Sequence, residues 1–282
     1  MPRRPRTALI AALACLLALL AVGAAAFLTP IGRWVDAATL LGFVDLHSAS
    51  IDRLANRVGR LVDPDPFLLA GLVLIGVALA RRRPRTAAVV PLILLGANLT
   101  TQTLKPALAD PRMSSLLGDV HIRAASWPSG HATAAMSLAL CAVLVSAPRA
   151  RPFVAALGGA FAVAIGYSTL LLAWHFPSDV LAGFLVATLW TALGVAGLWA
   201  AARRWPERAG RGREAAVRVG EALTPSALAA LTATACVGAV ALARPDAVLA
   251  YAQAHTVFVV GALTIAALGA VLAAVLAVAL RR

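Results

Sequence analysis

A histidine and an aspartate lie four residues apart in an otherwise apolar stretch, residues 167–184 (YSTLLLAWHFPSDVLAGF). If this turn is helical, the spacing places His175 and Asp179 on one face. A carboxylate bonded to one imidazole nitrogen fixes the tautomer and leaves the other nitrogen free to attack an electrophile. The simpler alternative is an interfacial histidine, with Asp179 capping the helix that follows.

A second group of polar residues is the tetrapeptide Pro-Ser-Gly-His at positions 128–131, directly before a long apolar run. The start of a helix exposes backbone N–H groups and carries about half a positive charge, so Ser129 and Gly130 form a potential anion cradle. The alternative is that Ser129 only caps the helix. His131 in the first turn is harder to explain structurally, because a small or apolar residue would suit a lipid-facing helix better.

Two cations, Lys105 and Arg112, precede this tetrapeptide and bracket a short loop. Either residue alone is typical of ordinary loop charge, but the pair favours an anion site. Two cations, a helix N-terminus and two histidines suit phosphoryl transfer, in which one histidine attacks and the other protonates the leaving group. No carboxylate cluster has metal-ligand spacing, so the sequence favours a mechanism without a metal or another cofactor.

The composition indicates which kind of fold must position these residues. Of the 282 residues, 61% are hydrophobic and only 13% are charged, which predicts an all-α polytopic membrane protein. The three cysteines each lie in an apolar run without metal-ligand spacing, so we expect them to be small core residues: Cys15, Cys141 and Cys236.

Apolar runs separated by charged or proline-rich breaks predict eight membrane spans. The second run is short for a bilayer core of about 30 Å. The first has features of a signal peptide, but its length favours a retained span. The predicted spans lie near residues 8–28, 67–80, 87–104, 131–147, 153–174, 180–200, 226–243 and 255–280.

Loop charges predict the orientation of these spans. With eight spans, the loops on the side of the termini hold 17 of the 25 Lys and Arg residues but only three of the 12 Asp and Glu residues. The positive-inside rule therefore places both termini in the cytoplasm and the polar motifs at the extracytoplasmic face. This distribution accounts for much of the net charge of +13 without a nucleic-acid partner.

The chain divides most naturally at a basic stretch. Residues 1–202 are expected to form a six-span core, residues 203–225 a basic cytoplasmic linker, and residues 226–282 a two-span hairpin. Within the first loop, apolar residues at positions 51, 54, 58 and 61 predict an amphipathic helix that lies on the membrane or packs over the spans.

The order of the polar motifs resembles that of the type 2 phosphatidic acid phosphatase family, lipid phosphate phosphatases related to vanadium haloperoxidases. The resemblance covers roughly residues 60–200, and the last two spans lie outside it. The motifs that carry it are Lys105-x6-Arg112, Pro128-Ser129-Gly130-His131 and Ser168-x6-His175-x3-Asp179.

The resemblance implies a role for each matching residue. His175 would attack phosphorus, Asp179 would orient it, and His131 would protonate the leaving alkoxide. No metal would be needed. The phosphate oxygens would be held by Lys105, Arg112, Ser129 and the backbone of Gly130.

Two positions depart from the family pattern. Met113 stands where the family has proline, and Thr169 stands where it has an arginine that contacts phosphate. Loss of one charge-assisted contact can cost on the order of 10²–10³ in rate. Arg123 is the first candidate to replace the missing charge, and His121 is a weaker one.

The sequence thus predicts a membrane phosphatase acting on a lipid phosphate or diphosphate, such as a polyprenyl diphosphate or phosphatidate. An inactive relative that binds lipid phosphate or a membrane partner is the alternative suggested by Thr169. A transporter is disfavoured, because paired broken half-helices are missing. The lipid and the oligomeric state are left open by the sequence.

Overall fold

A computed structural model describes residues 5–112, 115–118, 120–204 and 219–280, and throughout these ranges the regular structure is helical. Short 3₁₀ turns lie at Arg60–Val62, Ser115–Leu117 and Ala124–Ser126. The α-helices are α1 (Pro5–Leu28), α2 (Pro30–Val44), α3 (Ala49–Gly59), α4 (Pro64–Ala80), α5 (Pro84–Ala107), α6 (Gly130–Val145), α7 (Arg151–Leu171), α8 (Pro177–Arg204), α9 (Val219–Ala243), α10 (Pro245–Ala254) and α11 (Thr256–Ala279).

Local sequence signals define where these helices begin. Proline lies in the first turn of α2, α4, α5, α7 and α10, where its missing N–H group costs no hydrogen bond. Side-chain oxygens of Thr29, Ser48 and Ser129 accept backbone N–H groups at the starts of α2, α3 and α6.

Six helical segments are long and apolar enough to cross a membrane: α1, α5, α6 with its preceding turn, α7, α8 and α11. The pair α3–α4 passes the same test jointly but bends by 48°. Within α9, the apolar stretch Leu223–Ala235 is shorter than a span. The protein is a multi-pass all-α membrane protein, as the composition predicted, while the arrangement of eight spans and the domain division stay predictions.

Two of the expected features lie partly outside the described residues. The structure does not describe residues 205–218, which make up most of the predicted basic linker. The side chain of Cys236 also lies outside the described part. Cys15 and Cys141 are buried, as expected for small core residues.

The predicted amphipathic segment is helix α3, which packs against α7. Its contact ridge is formed by the small residues Ala55 and Gly59, which are buried. Leu54 and Leu61 stay 63% and 54% exposed, whereas Val58 packs against the core of the bundle.

Helix α6 is the centre of the bundle. It packs against α5, α7 and α8, and nearly all of its residues are buried, whereas α1 and α11 expose most of their surface. At the start of α6 the approach of α8 is very close. A Cβ atom on Gly183 would lie 2.8 Å from the Ser129 carbonyl oxygen and 3.0 Å from the Thr133 nitrogen. Glycine is needed here because both neighbours are backbone atoms.

We therefore expect Gly183→Ala to separate α8 from the start of α6. Overpacking of this kind costs about 1–3 kcal/mol, so the thermal unfolding midpoint in detergent should fall. Gly197→Ala on the same helix is the matched control, because a Cβ atom there meets nothing within 4 Å. Equal midpoints for the two variants would contradict the close approach.

Candidate active site

The polar motifs meet at one end of the bundle. The end of α5, the start of α6 and the turn between α7 and α8 all lie there, as the proximity of Lys105 to Gly130 and the hydrogen bond from Ser129 to Asp179 show. His131 and His175 lie within electrostatic range of each other, and Lys105 lies within range of His131. The structure thus brings together residues that are separated by up to 70 positions in the sequence.

His175 and Asp179 form the buried centre of this region. The His175 Nδ1 atom lies 3.2 Å from the Asp179 Oδ2 atom, and the same oxygen accepts the Phe176 N–H group at 3.0 Å. His175 is 6% exposed and Asp179 is fully buried. Because Nδ1 is engaged by the carboxylate, Nε2 is the ring nitrogen left for chemistry.

Lys105 lies beside the start of α6. A Cβ atom placed on Gly130 would lie 3.5 Å from the Lys105 Nζ atom. The ammonium group therefore adds its charge to the positive end of the helix dipole. Together they form a cationic region beside His131.

Ser129 has a structural role that the sequence offered as an alternative. Its Oγ atom accepts the Ala132 N–H group at 3.3 Å, which is an N-cap, and its own N–H group donates to the Asp179 carbonyl oxygen at 2.9 Å. Ser129 thereby ties the start of α6 to the turn that carries Asp179.

His131 is half-buried in front of this centre. Its ring lies 5.4 Å from the ring of Trp174, between centroids, and its Nε2 atom lies 3.6 Å from Asp63 Oδ1. Asp63 precedes α4 and is about half exposed. His131 is therefore held between an aromatic face and a carboxylate at the open side of the site.

Arg112 is the most heavily bonded residue of the region. Its side chain is 4% exposed and lies over the ring of Phe176, with Cζ 4.3 Å from the centroid. Its Nη1 group donates to Asp36 at 3.1 Å and to Ser178 at 2.9 Å. Its Nη2 group donates to Ser126 at 2.9 Å and to Asp179. Of its five N–H groups, four thus go to protein acceptors.

Asp36 on α2 is the functional candidate that sequence reasoning missed. It is 6% exposed, and its Oδ1 atom accepts the Ser178 N–H group at 2.8 Å. Burial and the charge of Asp179 raise the pKa of its carboxyl group to about 6, although Arg112 opposes the rise. The only signal in the sequence is a single acid in an apolar segment, VDAATLL. Asp63, Ser126 and Trp174 were missed as well.

The departures from the family pattern have clear positions, except for Met113, which lies outside the described residues. Thr169 is fully buried, and its hydroxyl donates to the Gly166 carbonyl oxygen of its own helix at 2.8 Å. Arg123 is exposed and lies within electrostatic range of Lys105, and His121 is also exposed.

Comparison with known proteins supports the family suggested by the motifs. Residues 67–204, slightly less than half of the chain, match the family model of the PAP2 superfamily. The family predicted from the three motifs is confirmed, and the PAP2 segment runs from α4 to the end of α8. Helices α1 to α3 and α9 to α11 lie outside it.

A solved structure supports the PAP2 fold. The chain is similar to a transmembrane PAP2 type phosphatidylglycerolphosphate phosphatase from Bacillus subtilis, with a TM-score of 0.54 and 21% sequence identity. The match covers 70% of this chain and 98% of that chain. At this identity the similarity shows a shared fold. No curated protein sequence matches this chain significantly.

The bond from Thr169 to its own helix leads to a prediction. Because the hydroxyl is used inside α7, Thr169→Val should change kcat/KM by less than about threefold and stability by about 1 kcal/mol. Phosphate release by the purified variant measures the first, and thermal unfolding measures the second. A loss of 10²-fold or more in kcat/KM would instead mean that the hydroxyl contacts the substrate.

Proposed function

We propose that this protein is an integral-membrane phosphatase that hydrolyses a lipid phosphate or diphosphate through a phosphohistidine intermediate. The observation that carries the proposal is the buried His175–Asp179 pair, with Nδ1 and Oδ2 3.2 Å apart, at the same end of the bundle as Lys105 and the start of α6. Membership of residues 67–204 in the PAP2 superfamily agrees with this chemistry.

The first step is attack on phosphorus by the Nε2 lone pair of His175. The new N–P bond forms while the P–O bond to the leaving group breaks, and its electron pair goes to the leaving oxygen. Positive charge develops on the imidazole ring, and the Asp179 carboxylate at Nδ1 stabilises it.

His131 completes the proton transfers. It gives a proton to the leaving oxygen in the first step, then takes one from the water that attacks the phosphohistidine. In that second step the P–N bond breaks and its electron pair returns to His175. The open position of His131, beside Trp174 and Asp63, suits access by both an alcohol and water.

Cationic groups hold the non-bridging oxygens of the phosphoryl group. We propose that Lys105, the Ser129 hydroxyl and the Gly130 N–H group at the start of α6 contact these oxygens. Arg112 contributes its charge and its remaining Nε–H group. Arg123 extends the cationic surface at the open side.

The substrate is proposed to be a lipid because the site lies at the end of membrane-spanning helices. A tail would stay in the bilayer while the phosphate enters. Polyprenyl diphosphate, phosphatidate and related lipids fit this description, and loop charges favour an extracytoplasmic site. We propose no nucleic-acid partner. The described residues contain no group of three or more His, Cys, Asp or Glu that could hold a metal ion, so we propose metal-independent hydrolysis.

Phosphate release from a panel of lipid phosphates, with EDTA present, tests the function. We expect wild-type protein to hydrolyse at least one lipid and His175→Ala to lose activity by roughly 10⁴-fold or more, since the covalent route is removed. His255→Ala is the matched control, because His255 is also paired with an acid, Asp45, at 3.3 Å, but lies outside the site. Wild-type protein that is inert but binds lipid phosphate would support the alternative of a non-catalytic relative.

The role of His131 can be tested by changing the leaving group. An alkoxide needs a proton on departure, whereas an aryl oxide with a low pKa does not. His131→Ala should therefore lose about 10²–10⁴-fold in kcat/KM on an alkyl phosphate and far less on p-nitrophenyl phosphate. Equal losses on the two substrates would contradict the role of general acid.

A further inference from the structure

The carboxylate of Asp36 binds two neighbours of Asp179, Arg112 and Ser178. Its Oδ2 atom accepts the Arg112 Nη1 group at 3.1 Å and the Ser178 hydroxyl. Its Oδ1 atom accepts the Ser178 N–H group at 2.8 Å. Asp36 therefore fixes the guanidinium group that binds Asp179 and also the first turn of α8, which carries Asp179.

Arg112 presents an electrostatic problem for the proposed chemistry. It binds Asp179 through Nη2, while His175 binds the other oxygen of the same carboxylate. A cation at this distance weakens the ability of Asp179 to stabilise positive charge on the imidazole. The effect is large here because all three side chains are buried.

A second carboxylate beside Arg112 removes this difficulty. With Asp36 ionised, the guanidinium charge is shared between two acids, and Asp179 keeps more of its negative charge for His175. Arg112 limits the rise caused by burial and by Asp179, so the pKa of Asp36 is about 6 and most of the carboxylate is ionised at neutral pH.

We propose that Asp36 is a positioning residue of this enzyme, which holds Arg112 and the start of α8 and offsets the Arg112 charge so that Asp179 can stabilise the imidazolium formed on His175. This inference rests on the proposed phosphohistidine chemistry. Asp36 lies on α2, which precedes the PAP2 segment that begins at residue 67.

Two substitutions of Asp36 separate charge from packing. Asp36→Asn keeps the size and one oxygen for the Ser178 N–H group, but it removes the charge. Asp36→Glu keeps the charge and adds one methylene. Asp36 borders a cavity of about 490 Å³ between α1, α2, α8 and α11, so the longer side chain has room.

The expected order of activities follows from the charge. We expect Asp36→Asn to lower kcat by at least about tenfold and to change KM less, because Asp36 acts through Arg112 and does not itself touch the substrate. We expect Asp36→Glu to stay within about threefold of wild type. A role in packing alone predicts the opposite order, with Asn better tolerated than Glu, and that result would overturn the proposal.

Direct measurement of the intermediate gives a second readout. Phosphohistidine survives in alkali, so rapid mixing followed by an alkaline quench reports the rate at which it forms. Asp36→Asn should slow this rate by the same factor as kcat. A lower kcat with an unchanged rate of formation would overturn the proposal.

Controls distinguish this proposal from the proposed function. Thr39→Ser is the matched variant, because Thr39 on α2 is 1% exposed and its hydroxyl faces the Val257 carbonyl oxygen at 3.4 Å instead of Arg112. It should leave kcat unchanged. His175→Ala is assayed in parallel. If wild type is active and His175→Ala is not, while Asp36→Asn equals wild type, only the role of Asp36 fails.

Folding of each variant is checked by thermal unfolding in detergent. If Asp36→Asn does not fold, the activity of Asp36→Glu alone tests whether the charge at position 36 is needed. Activity within about threefold of wild type supports the proposal, whereas a folded protein with greatly reduced kcat overturns it.

Discussion

The ion pairs of one buried arginine determine how this end of the bundle is built. Arg112 follows α5, Asp36 belongs to α2, and Asp179 begins α8, so a single guanidinium group joins three parts of the chain. A cation with 4% exposure is stable only when fully paired, because removal from water costs several kcal/mol. The loop after α5 must therefore follow the path that brings Arg112 between the two carboxylates.

The same pairing explains how the orientation of the Asp179 carboxylate toward His175 is fixed. Asp179 is bonded on one side by Arg112 and on the other by His175 and the Phe176 N–H group. Ser129 adds a backbone bond from the start of α6. Because each oxygen has its own partners, the carboxylate has one orientation, and the imidazole takes its tautomer from it.

Much of this site could be predicted from the sequence, because its motifs are local. Positions 175 and 179 lie one helical turn apart, and Pro-Ser-Gly-His before an apolar run predicts the start of a helix. Six of the eight predicted spans coincide with described helices that are long and apolar enough to cross a membrane, since long apolar runs have few alternatives. Asp36 could not be found in this way. Its partner Ser178 lies 142 positions further along the chain, and nothing near Asp36 indicates that contact. Arg112 shows the other limit, since its type and spacing suggested a substrate contact while its bonds go mainly to protein groups.

The long separation between Asp36 and Ser178 also has a consequence for biogenesis. Because the ribosome synthesises α2 long before α8, Asp36 has no Ser178 to bind until α8 has been made. A carboxylate in this state favours water over the interior of the bilayer. The contacts of the candidate site between α2 and α8 can therefore form only after α8 has been synthesised. A truncated chain that stops before α8 cannot form them, even when its earlier spans are correctly inserted.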